Sequence, residues 1–218
     1  MKKTLWMTMT ILAIAVAGYG IVQYLVLGAE SAGLVQEKLQ NMTLDDLWYM
    51  FIAIHVSGSV LSLIIGPFTL SAKFREKHLK RHRLLGRIYL LGILVGGGSG
   101  IYLAFFATGG IVSTIGFLFL SILWLNAAYQ ALRNIMSKRV DAHQRWMIRN
   151  YALTLTAVTL RLWLLIFVLL FGEERFEWSY TIISWLSWVP NLLIAELLIK
   201  KRLLPSGPVR SSRGTSAV

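Results

Sequence analysis

Long, uninterrupted apolar runs constrain the fold of this chain more than any other feature. Six of them occupy roughly residues 5–27, 47–70, 84–107, 111–132, 146–171 and 178–199. A helix of about 20 apolar residues crosses the ~30 Å hydrocarbon core of a bilayer. Backbone polar groups in lipid must be paired within the protein, so these segments are expected to be helices. The sequence therefore predicts an all-α, polytopic membrane protein with six transmembrane helices in one bundle.

The two ends of the chain differ in character. The transmembrane domain is expected to span residues 1–204, and residues 205–218, rich in Ser, Gly and Pro, are expected to form a disordered cytoplasmic tail. Residues 1–27 share the basic start and apolar stretch of a signal peptide, but the apolar run is longer than usual, which predicts an uncleaved first helix. The absence of Cys excludes disulfides and thiolate metal sites.

Basic residues mark one side of the predicted membrane. Lys and Arg are concentrated before the first run, in residues 71–83 and 133–145, and after the sixth run, whereas the alternate loops carry mainly Asp and Glu. The positive-inside rule then predicts a multi-pass protein of the bacterial inner (cell) membrane with both termini cytoplasmic. The net charge of +12 is expected to meet membrane lipids rather than nucleic acid, because no soluble domain carries it.

Two ionisable residues lie deep inside the predicted helices, where charge is costly and often marks a site. At ~1.5 Å per residue, His55 and Arg161 are expected about 12 and 15 Å from the same membrane surface. Ser59 follows His55 by one helical turn and Thr154 precedes Arg161 by two, so both extend polar faces. These faces indicate either side chains satisfied within the bundle or a binding site for an anionic or carbonyl-bearing small molecule.

Two helix entrances carry a similar polar signature, His82 with Arg87 and His143 with Arg149. Their helices run in the same direction, so the two imidazoles are expected at one depth, where they would share a metal or a heme. Arg87 and Arg149 would then bind propionates or a lipid phosphate. The alternative is that all four side chains only anchor helix ends among lipid headgroups.

Further patterns indicate helix packing. Gly92, Gly96, Gly100 and Ala104 recur every four residues and form a small face that allows close approach of another helix or of a flat cofactor ring. Pro190 is expected to kink the sixth helix. Glu196 precedes Lys200 by four residues, the spacing of an ion pair within one helix.

These motifs together resemble a known family. They are His55 with Gly58, Gly66-Pro67-Phe68, the segment His82–Tyr89, Gly98-Ser99-Gly100, Trp124, and His143–Arg149 continuing to Arg161. The set is similar to an uncharacterised family of bacterial predicted membrane proteins, domain of unknown function 2306, over roughly residues 48–165. The resemblance implies a membrane-helix architecture and picks out these residues, and it implies no particular reaction.

Three functions remain open on the sequence. The first is a redox role with heme b or quinone, using His82, His143 and His55. The second is a carrier or sensor of a small anionic or lipidic ligand bound by His55 and Arg161. The third is a non-catalytic membrane subunit. Whether the protein is an enzyme stays open, although the sequence shows no Ser-His-Asp set, paired carboxylates or phosphate loop.

Overall fold

The computed structural model describes residues 3–201, so the predicted tail at 205–218 lies outside it. Within these residues the chain forms ten α-helices, and a π-helical segment, Ile21–Val26, continues the first. The helices are α1 (Lys3–Gly20), α2 (Gly33–Leu39), α3 (Asp46–Leu70), α4 (Ala72–Lys77), α5 (Leu79–Ala104), α6 (Gly110–Met136), α7 (Val140–Thr154), α8 (Thr156–Phe171), α9 (Phe176–Leu186) and α10 (Val189–Lys200).

Six stretches of helix are long and apolar enough to cross a membrane, which confirms the predicted architecture. They are Trp6–Val26, Asp46–Leu70, Leu79–Ala104, Gly110–Met136, Val140–Phe171 and Glu173–Lys200. Several helices extend beyond the apolar runs, because long basic side chains keep their charges in the headgroup region while the helix continues. We call the end of the bundle with residues 27–45, 105–109 and 172–175 the acidic end, and the opposite end, with residues 71–78 and 137–139, the basic end.

Glycines bring α3 and α5 into backbone contact. A Cβ added to Gly58 would lie 2.6 Å from the carbonyl oxygen of Gly92 and 2.7 Å from the nitrogen of Gly96. The hydroxyl of Ser62 donates to the Tyr89 carbonyl at 3.2 Å across the same seam. The small face of α5 is therefore a helix-packing surface, and Gly100, further along it, faces His55.

The fifth and sixth crossings are each interrupted. The fifth breaks at Leu155, where the Val158 amide donates to the Leu155 carbonyl three residues back. The sixth breaks at Ser187 and Trp188, shortly before Pro190 in the first turn of α10. Proline lacks an amide hydrogen and its ring clashes with the carbonyl four residues back, here that of Leu186 at the end of α9, so the expected kink is a full interruption.

Side chains pair the carbonyls near the two breaks. The amide of Asn191 donates to the carbonyls of Ala152 and Ser187, at 3.2 and 3.1 Å. The hydroxyl of Thr159 donates to the Ser187 carbonyl at 2.5 Å. In lipid these groups have no water to bond, so the two interruptions stabilise each other.

We expect Gly58→Ala to destabilise the protein strongly, because the added methyl group meets the backbone of α5. Overpacking of this kind costs about 1–3 kcal/mol. Gly98→Ala is the matched control, since nothing lies within 4 Å of its added Cβ. Thermal unfolding in lipid nanodiscs measures both variants, and equal stability of the two would contradict this packing.

Candidate ligand-binding cavity

A cavity of about 260 Å³ lies between the membrane crossings, toward the acidic end of the bundle. Most of its wall is apolar. Its polar lining comes from Tyr24, Lys38, Trp48, His55, Ser59, Thr108, Ser121, Trp124, Thr154, Thr156, Arg161 and Tyr180. Neither Asp nor Glu is among the described residues that line it.

The structure places His55 and Arg161 on this one cavity, as their matched depths suggested. The imidazole of His55 lies with Nδ1 2.7 Å from the Gly96 carbonyl oxygen. A carbonyl only accepts, so Nδ1 carries the proton and Nε2 of the neutral ring remains an acceptor or ligand atom. Gly100 leaves room for the ring, since a Cβ there would lie 3.3 Å from it.

The guanidinium of Arg161 has no acidic partner among the described residues. Its Nη1 donates to the Ala157 carbonyl at 2.8 Å, and its Cζ lies 5.3 Å from the ring centre of Tyr19. Its Nε is buried without a hydrogen-bond partner. Within residues 3–201, a full positive charge at membrane depth is therefore balanced by a carbonyl and an aromatic face alone.

Four buried donors that line the cavity lack partners within the described part of the chain. They are Trp48 Nε1, Ser59 Oγ, Thr156 Oγ1 and Arg161 Nε. A buried polar group left without a hydrogen bond costs about 1–3 kcal/mol. All four belong to residues that line the cavity, so the unpaired polar atoms of the described crossings are concentrated around it.

A ring of hydrogen bonds forms the floor of the cavity. The hydroxyl of Tyr89 donates to Asn150 Oδ1 at 2.6 Å, and the Asn150 amide donates to the Trp124 carbonyl at 2.9 Å. The Trp124 indole donates to Thr154 Oγ1 at 2.9 Å, and this hydroxyl lies 3.1 Å from that of Tyr89. Thr154, expected as a ligand-binding residue, thus lines the cavity with its hydroxyl already bonded, and it ties α5, α6 and α7 together.

Helix α2 covers the cavity at the acidic end. Val35, 2% exposed, packs in one cluster with Tyr24 and Trp48. The amine of Lys38 donates to the Phe106 carbonyl and, at 3.2 Å, to the Thr108 hydroxyl. Burial of this amine lowers the pKa of Lys38 from 10.5 to about 8. The α2 lid is therefore fastened to the connection between α5 and α6.

The paired helix entrances form a separate region. His82 and His143 lie within electrostatic range of each other and of Arg75. The Nδ1 of His143 bonds the Ala131 carbonyl at 2.8 Å, whereas the Nδ1 of His82 is buried without a partner. A shared metal or heme at these residues stays a prediction.

The two arginines of these entrances have different surroundings. Arg149 binds Glu196 through two nitrogens, at 2.5 and 3.0 Å, and lies over the Trp146 ring. The ion pair expected within one helix, between Glu196 and Lys200, is thus replaced by a pair between α7 and α10, because the bidentate guanidinium competes better for the carboxylate. Arg87 is exposed on the outside of α5.

The sequence did not single out Lys38, Trp48 or Thr156 for the cavity. Lys38 had one signal, since it is one of two basic residues in loops that are otherwise acidic. In the sequence, Trp48 resembles an interfacial aromatic residue. Thr156 lies at the start of a helix only because the fifth crossing breaks at Leu155.

Comparison with known proteins gives one match. A family described as "Predicted membrane protein (DUF2306)" matches residues 52–199. The matched range holds His55, the floor ring and Arg161, and it leaves α1 and the α2 lid outside. No curated protein and no solved structure matches the sequence.

Because the pKa of Lys38 is lowered in the folded protein, the direction in which stability changes with pH can be predicted. Below about pH 8 the amine is charged in both folded and unfolded protein, whereas between about 8 and 10.5 only the unfolded chain keeps the proton. Stability rises with pH where the unfolded state binds more protons. We therefore expect the wild type to gain stability relative to Lys38→Gln across this window.

Unfolding in nanodiscs at a series of pH values measures this gain. Lys77→Gln, which removes an exposed amine, is the control and should follow the wild type. Parallel profiles for the wild type and Lys38→Gln would contradict a buried Lys38 amine.

Proposed function

The chain belongs to the DUF2306 family of predicted membrane proteins, and we propose that it is a carrier or sensor of a small anionic amphiphile. The ligand would occupy the cavity that His55 and Arg161 line. The observation that carries this proposal is the guanidinium of Arg161, which lies at membrane depth without a carboxylate partner in the described part of the chain.

Charge balance selects an anion. Lys38 and Arg161 line the cavity, and no Asp or Glu in the described chain joins them. Cations within the membrane are costly and normally pair with an opposite charge. An anionic ligand supplies that charge, whereas a neutral quinone would fill the donors and leave the guanidinium uncompensated.

Hydrogen-bond capacity supports the same class of ligand. A carboxylate has two oxygens with about four acceptor sites and no donor. Among the cavity-lining residues, the unpartnered Arg161 Nε can only donate, and the hydroxyls of Ser59 and Thr156 can donate as well as accept. A headgroup that holds several acceptors in a small volume suits these groups.

The size and wall of the cavity indicate an amphiphile. Its volume of about 260 Å³ is below the ~300–1,000 Å³ typical of pockets for drug-sized ligands, so it fits a headgroup and a few carbons. Beside the polar groups the wall is apolar, with Leu63, Leu103, Phe117 and Leu120 among the lining residues.

The interrupted helices favour a carrier or sensor over an inert subunit. In membrane carriers, discontinuous helices place helix N-termini beside anionic substrates near the middle of the bilayer. Here α8 begins at Thr156, which lines the cavity, and the fifth and sixth crossings are both interrupted.

The redox alternative rests on the second region. The bond from His143 Nδ1 to the Ala131 carbonyl would orient the ring for metal ligation. Against it, Arg75 places positive charge near both imidazoles, and Arg149 is engaged by Glu196 and so is not free for a propionate.

Absorption spectra distinguish the two functions. We expect no Soret band from protein purified from heme-replete cells. The positive charge of Arg75 lies near both imidazoles, and Arg149 is bound by Glu196 rather than free for a propionate. A Soret band that disappears in both His82→Ala and His143→Ala would replace this proposal with the redox one.

Ligand-induced stabilisation tests the anion site. In phosphatidylcholine nanodiscs, decanoate is expected to stabilise the wild type, by about 2.7 kcal/mol at a hundredfold excess over its Kd. Decanol, with the same chain and no charge, is expected to stabilise it much less. Arg161→Gln should lose the effect of decanoate, and Arg161→Lys should retain part of it.

Arg87→Gln is the matched control, because it removes an exposed arginine from a neighbouring crossing. It should respond to decanoate like the wild type. Equal stabilisation by decanoate and decanol, or an undiminished response of Arg161→Gln, would contradict the proposal and leave the protein as a subunit without this ligand.

A further inference from the structure

We infer that the ligand is a membrane-borne, single-chain amphiphile that reaches Arg161 sideways from the lipid, through the seam between α1 and α8. This inference rests on the proposed function, and it names the source of the ligand as the bilayer rather than water. Two sides of the cavity are closed, and this leaves the bilayer as the route of entry.

The route from the basic end is blocked by the floor ring. Tyr89 and Asn150 are fully buried, at 0% exposure, and their side chains bond each other. Trp124 and Thr154 complete the ring and form the inner surface of the cavity. Opening this route would break several buried hydrogen bonds at once, in a region without water to replace them.

The route from the acidic end is covered by the α2 lid. At this end the cavity is lined by three α2 residues, Leu34, Val35 and Lys38. Val35 is buried in an apolar cluster with Tyr24 and Trp48, and the Lys38 amine binds the Phe106 carbonyl. A solute from water would have to displace this helix and its buried apolar contacts.

On the side between α1 and α8, the ring of Tyr19 meets the guanidinium of Arg161. Tyr19 is 46% exposed on the outside of α1, and the Arg161 Cζ lies 5.3 Å from its ring centre. Arg161 also lines the cavity, so the same side chain reaches from the interior to a residue on the lipid-facing surface. Ala13 and Ala17, at 0% and 1% exposure, hold the seam closed only nearer the basic end, in a cluster with Val158.

The surroundings of the seam suit a hydrocarbon chain. On the segment that continues α1, Val22 is 50% exposed one turn from Tyr19, and on α8, Leu165 is 58% exposed one turn from Arg161. A headgroup on Arg161 would leave its tail among these side chains and the lipid. The cavity volume of about 260 Å³ then needs to hold only the head and the first carbons.

Binding kinetics test the route. The probe is bromododecanoate in phosphatidylcholine nanodiscs, whose bromine quenches tryptophan fluorescence, because Trp48 and Trp124 line the cavity. Stopped-flow mixing is expected to show about tenfold faster association and dissociation for Tyr19→Ala, the size expected when one cation–π contact is lost from a gate. Tyr19→Phe, which retains the ring, should behave like the wild type.

Two further measurements distinguish a ligand that enters from the lipid from one that enters from water. Gln36→Ala, which removes the bond from the α2 lid to the Glu30 carbonyl and does not line the cavity, should leave the rates unchanged. Butyrate, which has the same carboxylate but remains in water, should not compete with the probe. Faster binding by Gln36→Ala with no change in Tyr19→Ala, or competition by butyrate, would overturn the lateral route while the proposed function stands. Quenching in the wild type that Arg161→Gln does not reduce would overturn both.

Discussion

The absence of water from the hydrocarbon core is the constraint on which this structure depends. Every polar group at that depth must find a partner inside the bundle or bear the cost of lacking one. The ring of Tyr89, Asn150, Trp124 and Thr154 satisfies this requirement in the centre of the protein. Asn191 and Thr159 satisfy it beside the two helix interruptions. Most of the buried polar groups are paired, so the few that are not indicate where a further partner would bind.

Several of the unpaired groups lie together. Trp48, Ser59, Thr156 and Arg161 line the cavity, each has a buried polar atom without a partner in the described chain, and three of these atoms belong to neutral groups. Water does not neutralise the guanidinium of Arg161. Charge, rather than hydrogen bonding alone, therefore decides between a solvent-filled cavity and a site for an anion. For this reason Arg161, rather than the neutral His55, is the residue that would select the ligand.

The sequence predicted the features that depend on composition along one helix. The six crossings follow from apolar length, and the shared level of His55 and Arg161 follows from counting residues from the membrane surface. Features that depend on contacts between helices were not predictable. The pairing of Arg149 with Glu196 joins residues 47 positions apart, and the spacing to Lys200 suggested a closer partner. Lys38 reaches the cavity only because α2 folds back over it, and Thr156 begins a helix only because the chain breaks at Leu155.

We propose that an anion from the membrane neutralises Arg161. Mass spectrometry of small molecules released from the purified protein tests it most directly, with wild type and Arg161→Gln isolated from the same cells in native lipid. We expect a single-chain anionic amphiphile at about one per wild-type protein, and its loss from Arg161→Gln. No bound anionic amphiphile in the wild type, or the same amount in both proteins, would contradict it.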